Sequence, residues 1–348
     1  MGKFTPTPDP SPLWGLLQNW LAVIQLSLFG GAVMSGQLGF GDGWISPKVG
    51  QNAVLERLSR EVKWYRFEKL LWRLQAEGAG RPPFDPLLML KALLLQQWYR
   101  LSDAELEEAI NDRVSFRKFL GLSLEASCPD HTTLCRFRNR LADAGLNEKL
   151  FCEFERQLEA RGLLLKRGTM IDASLVATPH RPASADGTRP AADPDAALTA
   201  RKGKRGIHYG YKLHAGVDLT SRLIRRVLMT PANVNDTVPA DQLVCGDEKA
   251  VYADKAYAKR ARTAWLRSLG IKDRIMHKSW GGGPPLSPWH KRHNRLIAAH
   301  RAQVEGVFAT LKRWLGLASV RYRGLARNNS HLLIAATAYN MKRMLKLA

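Results

Sequence analysis

At 348 residues and 45% hydrophobic content, the chain is long enough to bury a real core and to divide into two domains, which excludes disorder throughout. A formal net charge of +22 and a pI near 10.2 exclude the charge balance of an ordinary soluble enzyme. They point to a polyanionic partner, nucleic acid ahead of a membrane surface.

Residues 1–48 differ from the rest, since Lys3, Asp9, Asp42 and Lys48 are their only charges. Leu13 to Met34 approaches membrane-spanning length, but Gln18, Asn19, Gln25 and Ser27 interrupt it and no basic cluster precedes it. Neither a span nor a signal peptide is assigned, and no stable membrane association is expected. The segment is an apolar extension. Either the natural start is Met34, or residues 1–33 form an accessory helix. The cysteines Cys128, Cys135, Cys152 and Cys245 form no CxxC pair and, with His131, fit no zinc spacing. They read as small buried residues of a reduced, cytoplasmic protein.

From 49 to 164 the pattern is helical. Asp85 is placed to cap an apolar helix from Leu87 to Tyr99, and Ser102 with Glu105 makes a capping box for the next. Asp130 caps a short helix, His131 to Ala142, carrying Arg136, Arg138 and Arg140. This is a candidate recognition helix of a helix-turn-helix-like DNA-binding domain; the alternative is a solvated basic face paired with local acids.

After Lys166 the periodicity changes. Thr169 to Val176 is an apolar run interrupted by one acid, Asp172, which a buried strand tolerates poorly without a reason. The stretch 178–206 is rich in Pro, Ala and Gly and ends in the basic cluster Arg201, Lys202, Lys204 and Arg205; it reads as a mobile loop able to order on a phosphate backbone. His208 to Asp218 alternates as a strand. Leu219 to Arg222 turns it into a second, Leu223 to Met229. Val234 to Cys245 reads as a helix, and Ala250 to Asp254 as a buried strand ending on an acid. A helix from Ala258 to Leu269, a strand from Ile271 to Met276, a glycine-rich loop and two long helices, Ile297 to Trp314 and Ser330 to Leu347, complete the chain.

The helix from Ile297 carries an apolar stripe, Ile297, Val304, Phe308, Leu311 and Leu315. Beside it Arg301, Glu305 and Lys312 fall within about 40° of one another on a helical wheel. Alone, Arg301 and Glu305 are readily explained as a surface pair. With Asp172 and Asp254 on strands upstream, the pattern becomes three acids on a mixed sheet flanked by helices. Three converging carboxylates suit two Mg²⁺ ions, with Mn²⁺ able to substitute, and hence in-line phosphoryl transfer on DNA or RNA.

The segments Gly168-Thr169-Met170-Ile171-Asp172, Val251-Tyr252-Ala253-Asp254-Lys255-Ala256-Tyr257 and Arg301-Ala302-Gln303-Val304-Glu305 followed by Lys312 resemble the acidic motifs of bacterial insertion-sequence DDE transposases, the superfamily around insertion sequences 4 and 5. The last is similar to the family's Tyr-x2-Arg-x3-Glu-x6-Lys signature and departs from it at Ala298. Tyr209 to Asp218 resembles the strand between the first two motifs. Pro129 to Leu134 with Arg136-Phe137-Arg138 resembles the amino-terminal module. The resemblance implies an RNase H-like α/β catalytic domain over 165–348, preceded by the all-α domain over 49–164. It also implies Asp172, Asp254 and Glu305 as catalytic metal ligands, and Arg301 and Lys312 as phosphate contacts. The expected activity is cleavage at terminal inverted repeats and strand transfer into target DNA. A homodimer or larger synaptic complex on DNA, in the cytoplasm and associated with the nucleoid, is expected with it. Two alternatives are a catalytically inactive DNA-binding regulator derived from a transposase and an RNase H-like nuclease without strand transfer.

Overall fold

The computed structural model describes residues 49–74, 83–184, 189–200, 207–279 and 285–348. The expectations for the amino-terminal extension lie outside these residues. Among the described residues seven α-helices come first: α1 (Ala53–Glu61), α2 (Trp64–Leu71), α3 (Pro86–Tyr99), α4 (Asp103–Asp112), α5 (Val114–Leu120), α6 (His131–Asp143) and α7 (Leu146–Ala160). Their starts follow the caps read from the sequence. Asp85 accepts from the Leu87 and Leu88 amides, Ser102 and Glu105 form the reciprocal box, and Asp130 accepts from Thr133. Each such cap is worth about 1 kcal/mol. α3 is buried on nearly every face, Gln96 and Gln97 included, so it forms the axis of the helical half rather than a surface helix.

Six strands follow in one sheet: β1 (Thr169–Ala177), β2 (Ala197–Ala200), β3 (Ile207–Asp218), β4 (Ile224–Pro231), β5 (Ala250–Ala253) and β6 (Lys272–Ile275). The order is β2-β3-β1-β5-β6, with β4 also paired to β3. β1, β3 and β4 run antiparallel to their neighbours in turn, while β5 and β6 are parallel to β1. The β3–β4 turn is held by Asp218, whose Oδ1 accepts from the Thr220 and Ser221 amides. Gly210 has φ +148°, and a Cβ there would lie 2.3 Å from the Val176 carbonyl oxygen, so only glycine lets β3 pass β1 at this point. Alternation along β1 sends Met170 and Asp172 to one face and Ile171 to the other. The first face is covered by α9 (Pro288–Trp314), the second by α8 (Arg260–Ser268).

Four expectations are corrected. Val234 to Cys245 is not a helix: Pro239 lacks the amide a helix interior needs, and only the short 3₁₀ turn Ala240–Leu243 forms. The stretch read as a mobile loop contains β2, paired to β3, and its Asp193 is fully buried. There Asp193 accepts from Tyr211 Oη at 2.8 Å and from the Gly324 amide at 3.1 Å. α9 begins at Pro288, nine residues before Ile297, because Ser287 caps it and proline suits its first turn. The four cysteines are free as expected but none is fully buried: Cys135 is exposed and Cys128, Cys152 and Cys245 are half-buried.

The last helix, α10 (Leu325–Leu347), belongs to both halves. It packs on α7 and α3, and Trp98 Nε1 donates to the Ala338 carbonyl at 2.9 Å. On its other side buried Asn340 exchanges hydrogen bonds with the backbone of Ile224, and Asn329 accepts from the Met229 amide, so α10 covers the outer edge of β4. One hydrophobic core therefore runs without a break from Leu55 through the sheet to Leu345.

Candidate active site

β1 brings Asp172 to the α9 face, and β5 ends so that Asp254 caps the 3₁₀ turn Lys255–Tyr257. The two aspartates are held alike. One oxygen of each accepts from the next backbone amide, Ala173 at 2.9 Å and Lys255 at 2.6 Å. The other oxygen of each faces Arg301 of α9: Nη2 lies 3.4 Å from Asp172 and Nη1 3.4 Å from Asp254. Glu305 is exposed one turn further along α9, and Lys312 is half-buried two turns beyond it. Ile297, Val304, Phe308, Leu311 and Leu315, the apolar stripe read from the sequence, are all buried beneath the polar one.

Burial pushes the Asp172 carboxyl above the ordinary carboxylate range; Arg301 and the Ala173 amide oppose this without cancelling it, and Asp254 adds to it. Burial works against the charge on Arg301, but Asp172, Asp254 and then Glu305 outweigh it and keep the guanidinium firmly protonated. Tyr257 was not singled out in the sequence, although it stands three residues after Asp254. Its side chain is buried, its hydroxyl has no hydrogen-bond partner among the described residues, and burial followed by the charges of Asp172 and Asp236 raises its pKa. The legible signal was a second aromatic residue, after Tyr252, in the seven-residue motif around Asp254.

Other sites read from the sequence fare differently. Arg136 is exposed on α6. Arg138 is a correction: it turns inward, donates to Asp103 and to Gln96, and packs its guanidinium 5.1 Å from the Tyr322 ring centre, because it shares the face of buried Leu134 and Leu141. Arg140 is exposed yet donates to the Leu74 carbonyl. Arg201, Lys202, Lys204 and Arg205 lie outside the described residues.

Among the described residues, one trio of metal-ligand types, Cys245, Asp247 and Glu248, has all its donor atoms within 4.8 Å. Its acids are already satisfied, Asp247 by Arg225 and Lys166 and Glu248 by the amides of Cys245 and Gly246. Burial pushes the Cys245 thiol up to about 12, so a thiolate ligand is disfavoured. The trio is structural.

A mixed sheet with an antiparallel first half and parallel second half, flanked by helices and carrying acids on its first strand, after a central parallel strand and on the following long helix, is RNase H-like. Sequence comparison matches a Transposase DDE domain over residues 164–341 and a Transposase domain (DUF772) over residues 45–140. The chain belongs to the DDE transposase family. Among solved structures it is similar to the Mos1 strand transfer complex, at 14% identity over 73% of this chain and 83% of that one, with a TM-score of 0.19. It is also similar to the Mos1 mariner paired end complex with Mn, at 12% identity over 98% and 97%, with a TM-score of 0.20. Superposition at these scores supports no residue correspondence. Among the described residues no helix is long and apolar enough to cross a membrane.

Proposed function

We propose that this transposase binds the terminal inverted repeats of its own element as double-stranded DNA, cleaves them to free 3′-hydroxyl ends and joins those ends to target DNA. One observation carries the reading: Asp172 and Asp254, distant in the chain, meet on a single guanidinium of the helix that bears Glu305. The donor set fits hard divalent ions, being all carboxylate. Two carboxyl groups share one guanidinium, so the aspartate pair is short of positive charge. Asp172, Asp254 and Glu305 are the residues that would hold two Mg²⁺ ions, or Mn²⁺ in their place; when bound, such ions stabilise the attacking and leaving oxygens of phosphoryl transfer.

The protein's own residues do the positioning. The amides of Ala173 and Lys255 fix one oxygen of each aspartate and leave the other turned towards Arg301. Burial of the stripe beneath them holds Arg301 and Glu305 in register. Arg301 and Lys312 are the phosphate contacts nearest the acids. Exposed Arg136 on α6 is a further DNA contact, as is the cluster Arg201, Lys202, Lys204 and Arg205. Bringing two ends together calls for a dimer or larger complex on DNA, and a DNA substrate places the protein in the cytoplasm at the nucleoid.

The test is cleavage of a labelled linear DNA carrying the element's end, with Mg²⁺ and with EDTA, by wild type and Asp254→Asn. Cutting at the repeat boundary by wild type in Mg²⁺ alone is expected. Binding without cutting on a paired-end substrate identifies a DNA-binding regulator instead, and cutting without joining of supplied 3′-hydroxyl ends identifies a nuclease.

A further inference from the structure

Buried Arg262 and half-buried Arg301 are held in different ways. Arg262 is held tightly: its guanidinium donates to Asp241 at 2.5 Å, to the Thr237 hydroxyl at 3.0 Å, and to the Tyr257 and Thr237 carbonyls at 2.6 Å each. Arg301 is held loosely. Its two contacts are each 3.4 Å, well beyond the roughly 2.7–2.9 Å of a strong charge-assisted bond. They go to two different acids, and its buried Nε has no partner among the described residues. Its side chain is 29% exposed, so an exit to solvent is open. Arg301 thus lies across the two carboxylate oxygens that the neighbouring amides leave unused, which are also the oxygens a divalent ion would take.

We propose that Arg301 is an internal competitor for the divalent cation: it partly offsets the charge of the aspartate pair in the metal-free protein and must give way for metal to load. The inference rests on the reading of Asp172 and Asp254 as metal ligands. The guanidinium spans both acids because its two terminal nitrogens are separate donors on one rigid plane; an ammonium, a single point charge, reaches one acid at a time. Metal loading and release of Arg301 are then one event, and the freed side chain emerges at the site's rim beside Glu305, where a DNA phosphate is its natural partner. A preformed metal cage would need no such exchange. Here the pair remains shielded from stray cations until Arg301 has another anion to meet.

The experiment is Mn²⁺ binding to the full-length protein without DNA, read as loss of the free-ion signal in electron paramagnetic resonance, for wild type, Arg301→Gln, Arg301→Lys and Asp172→Asn. Arg301→Gln is expected to bind Mn²⁺ about tenfold more tightly than wild type, about 1.4 kcal/mol. Arg301→Lys is the deciding variant because it keeps the charge and loses the span. Tightening by Arg301→Lys, persisting at raised ionic strength, supports displacement of a direct contact. Arg301→Lys equal to wild type overturns the proposal, since only through-space charge would then be acting, and so does Arg301→Gln equal to or weaker than wild type; neither result touches the metal-site reading. If Asp172→Asn binds Mn²⁺ as wild type does, the ion is not at this pair and both readings fall. Thermal melting of each variant without metal checks that it is folded.

Discussion

α6 and α9 carry the same kind of message in sequence, basic residues at helical spacing beside an apolar stripe, and the fold uses them in opposite ways. On α6, Arg138 is turned into the interior and closed off by Asp103, Gln96 and the Tyr322 ring, while Arg140 ties the helix to the Leu74 carbonyl. On α9, Arg301 faces two acids that no helix neighbour supplies, at long range and with one nitrogen unpartnered among the described residues. Spacing puts residues on a common face; it does not say what that face meets. An arginine packed inside against an acid, an amide and an aromatic ring holds a fold together, whereas one with stretched, divided contacts marks a place where another ligand is expected.

The comparison can be broken at several points. The largest effect is expected at the acids: Asp172→Asn, Asp254→Asn or Glu305→Gln should lower DNA cleavage by a factor of about 10³ or more with DNA binding retained, as expected when a group acts chiefly in the transition state. Any of the three cutting at wild-type rate removes that residue from the site.

Arg138→Ala should act on stability instead. It removes a charged donor from half-buried Asp103, which keeps Gln96, and leaves a gap beside Tyr322; a loss of about 2 kcal/mol is expected in urea unfolding, the order of a hydrogen bond to a charged group. An unchanged midpoint would show that Arg138 is not the internal tie described. Acid should also weaken the fold. His214 is fully buried, with burial lowering its pKa from 6.5 to about 4, and buried His331 is lowered to about 3. Both are neutral in the folded protein and take up protons on unfolding. Their stabilisation is present above pH 6.5 and is lost as pH falls towards the folded values, on the order of 3 kcal/mol for His214. His214→Gln should flatten that part of a stability-against-pH curve.

Asp172 has the opposite linkage. Its carboxyl is raised in the folded state, so the stability it allows is present below the ordinary carboxylate range and is lost as pH rises through the folded value. At neutral pH without metal, Asp172→Asn should melt higher than wild type, and the difference should vanish in acid; a lower melting temperature would mean that the Arg301 contact outweighs burial. The smallest effect belongs to Arg136→Ala. Being exposed, it should leave stability within about 0.5 kcal/mol and reduce the salt slope of DNA binding by about one.

Much of the site was legible because burial of a charge is rarely accidental. Asp172 stood out as the one acid in an apolar strand, Asp254 as the acid ending another, and the α9 stripes fell on the faces their period required. The partner of Arg301 was not legible. Glu305 is its neighbour in the helix, but Asp172 and Asp254 reach it only because β1 and β5 pair in parallel beneath α9. Tyr257 and Asp193 were passed over because a buried hydroxyl and a buried acid in a proline-rich stretch leave no periodic trace. Val234 to Cys245 misled because its apolar spacing was weighed without Pro239.

Legible in the sequence were the change from helices to strands after Lys166, the order of β1, β3, β4, β5 and β6, the caps that start α3, α4 and α6, and which side chains share a face, since these depend on local geometry of period 2 or 3.6 and on hydrogen bonds a few residues long. The tertiary structure decided which face turns inward on α6, that α10 returns to seal β4 and join the two halves in one core, and that one arginine bridges two aspartates. Those outcomes depend on contacts between segments far apart in the chain, and no local spacing encodes the distance between them.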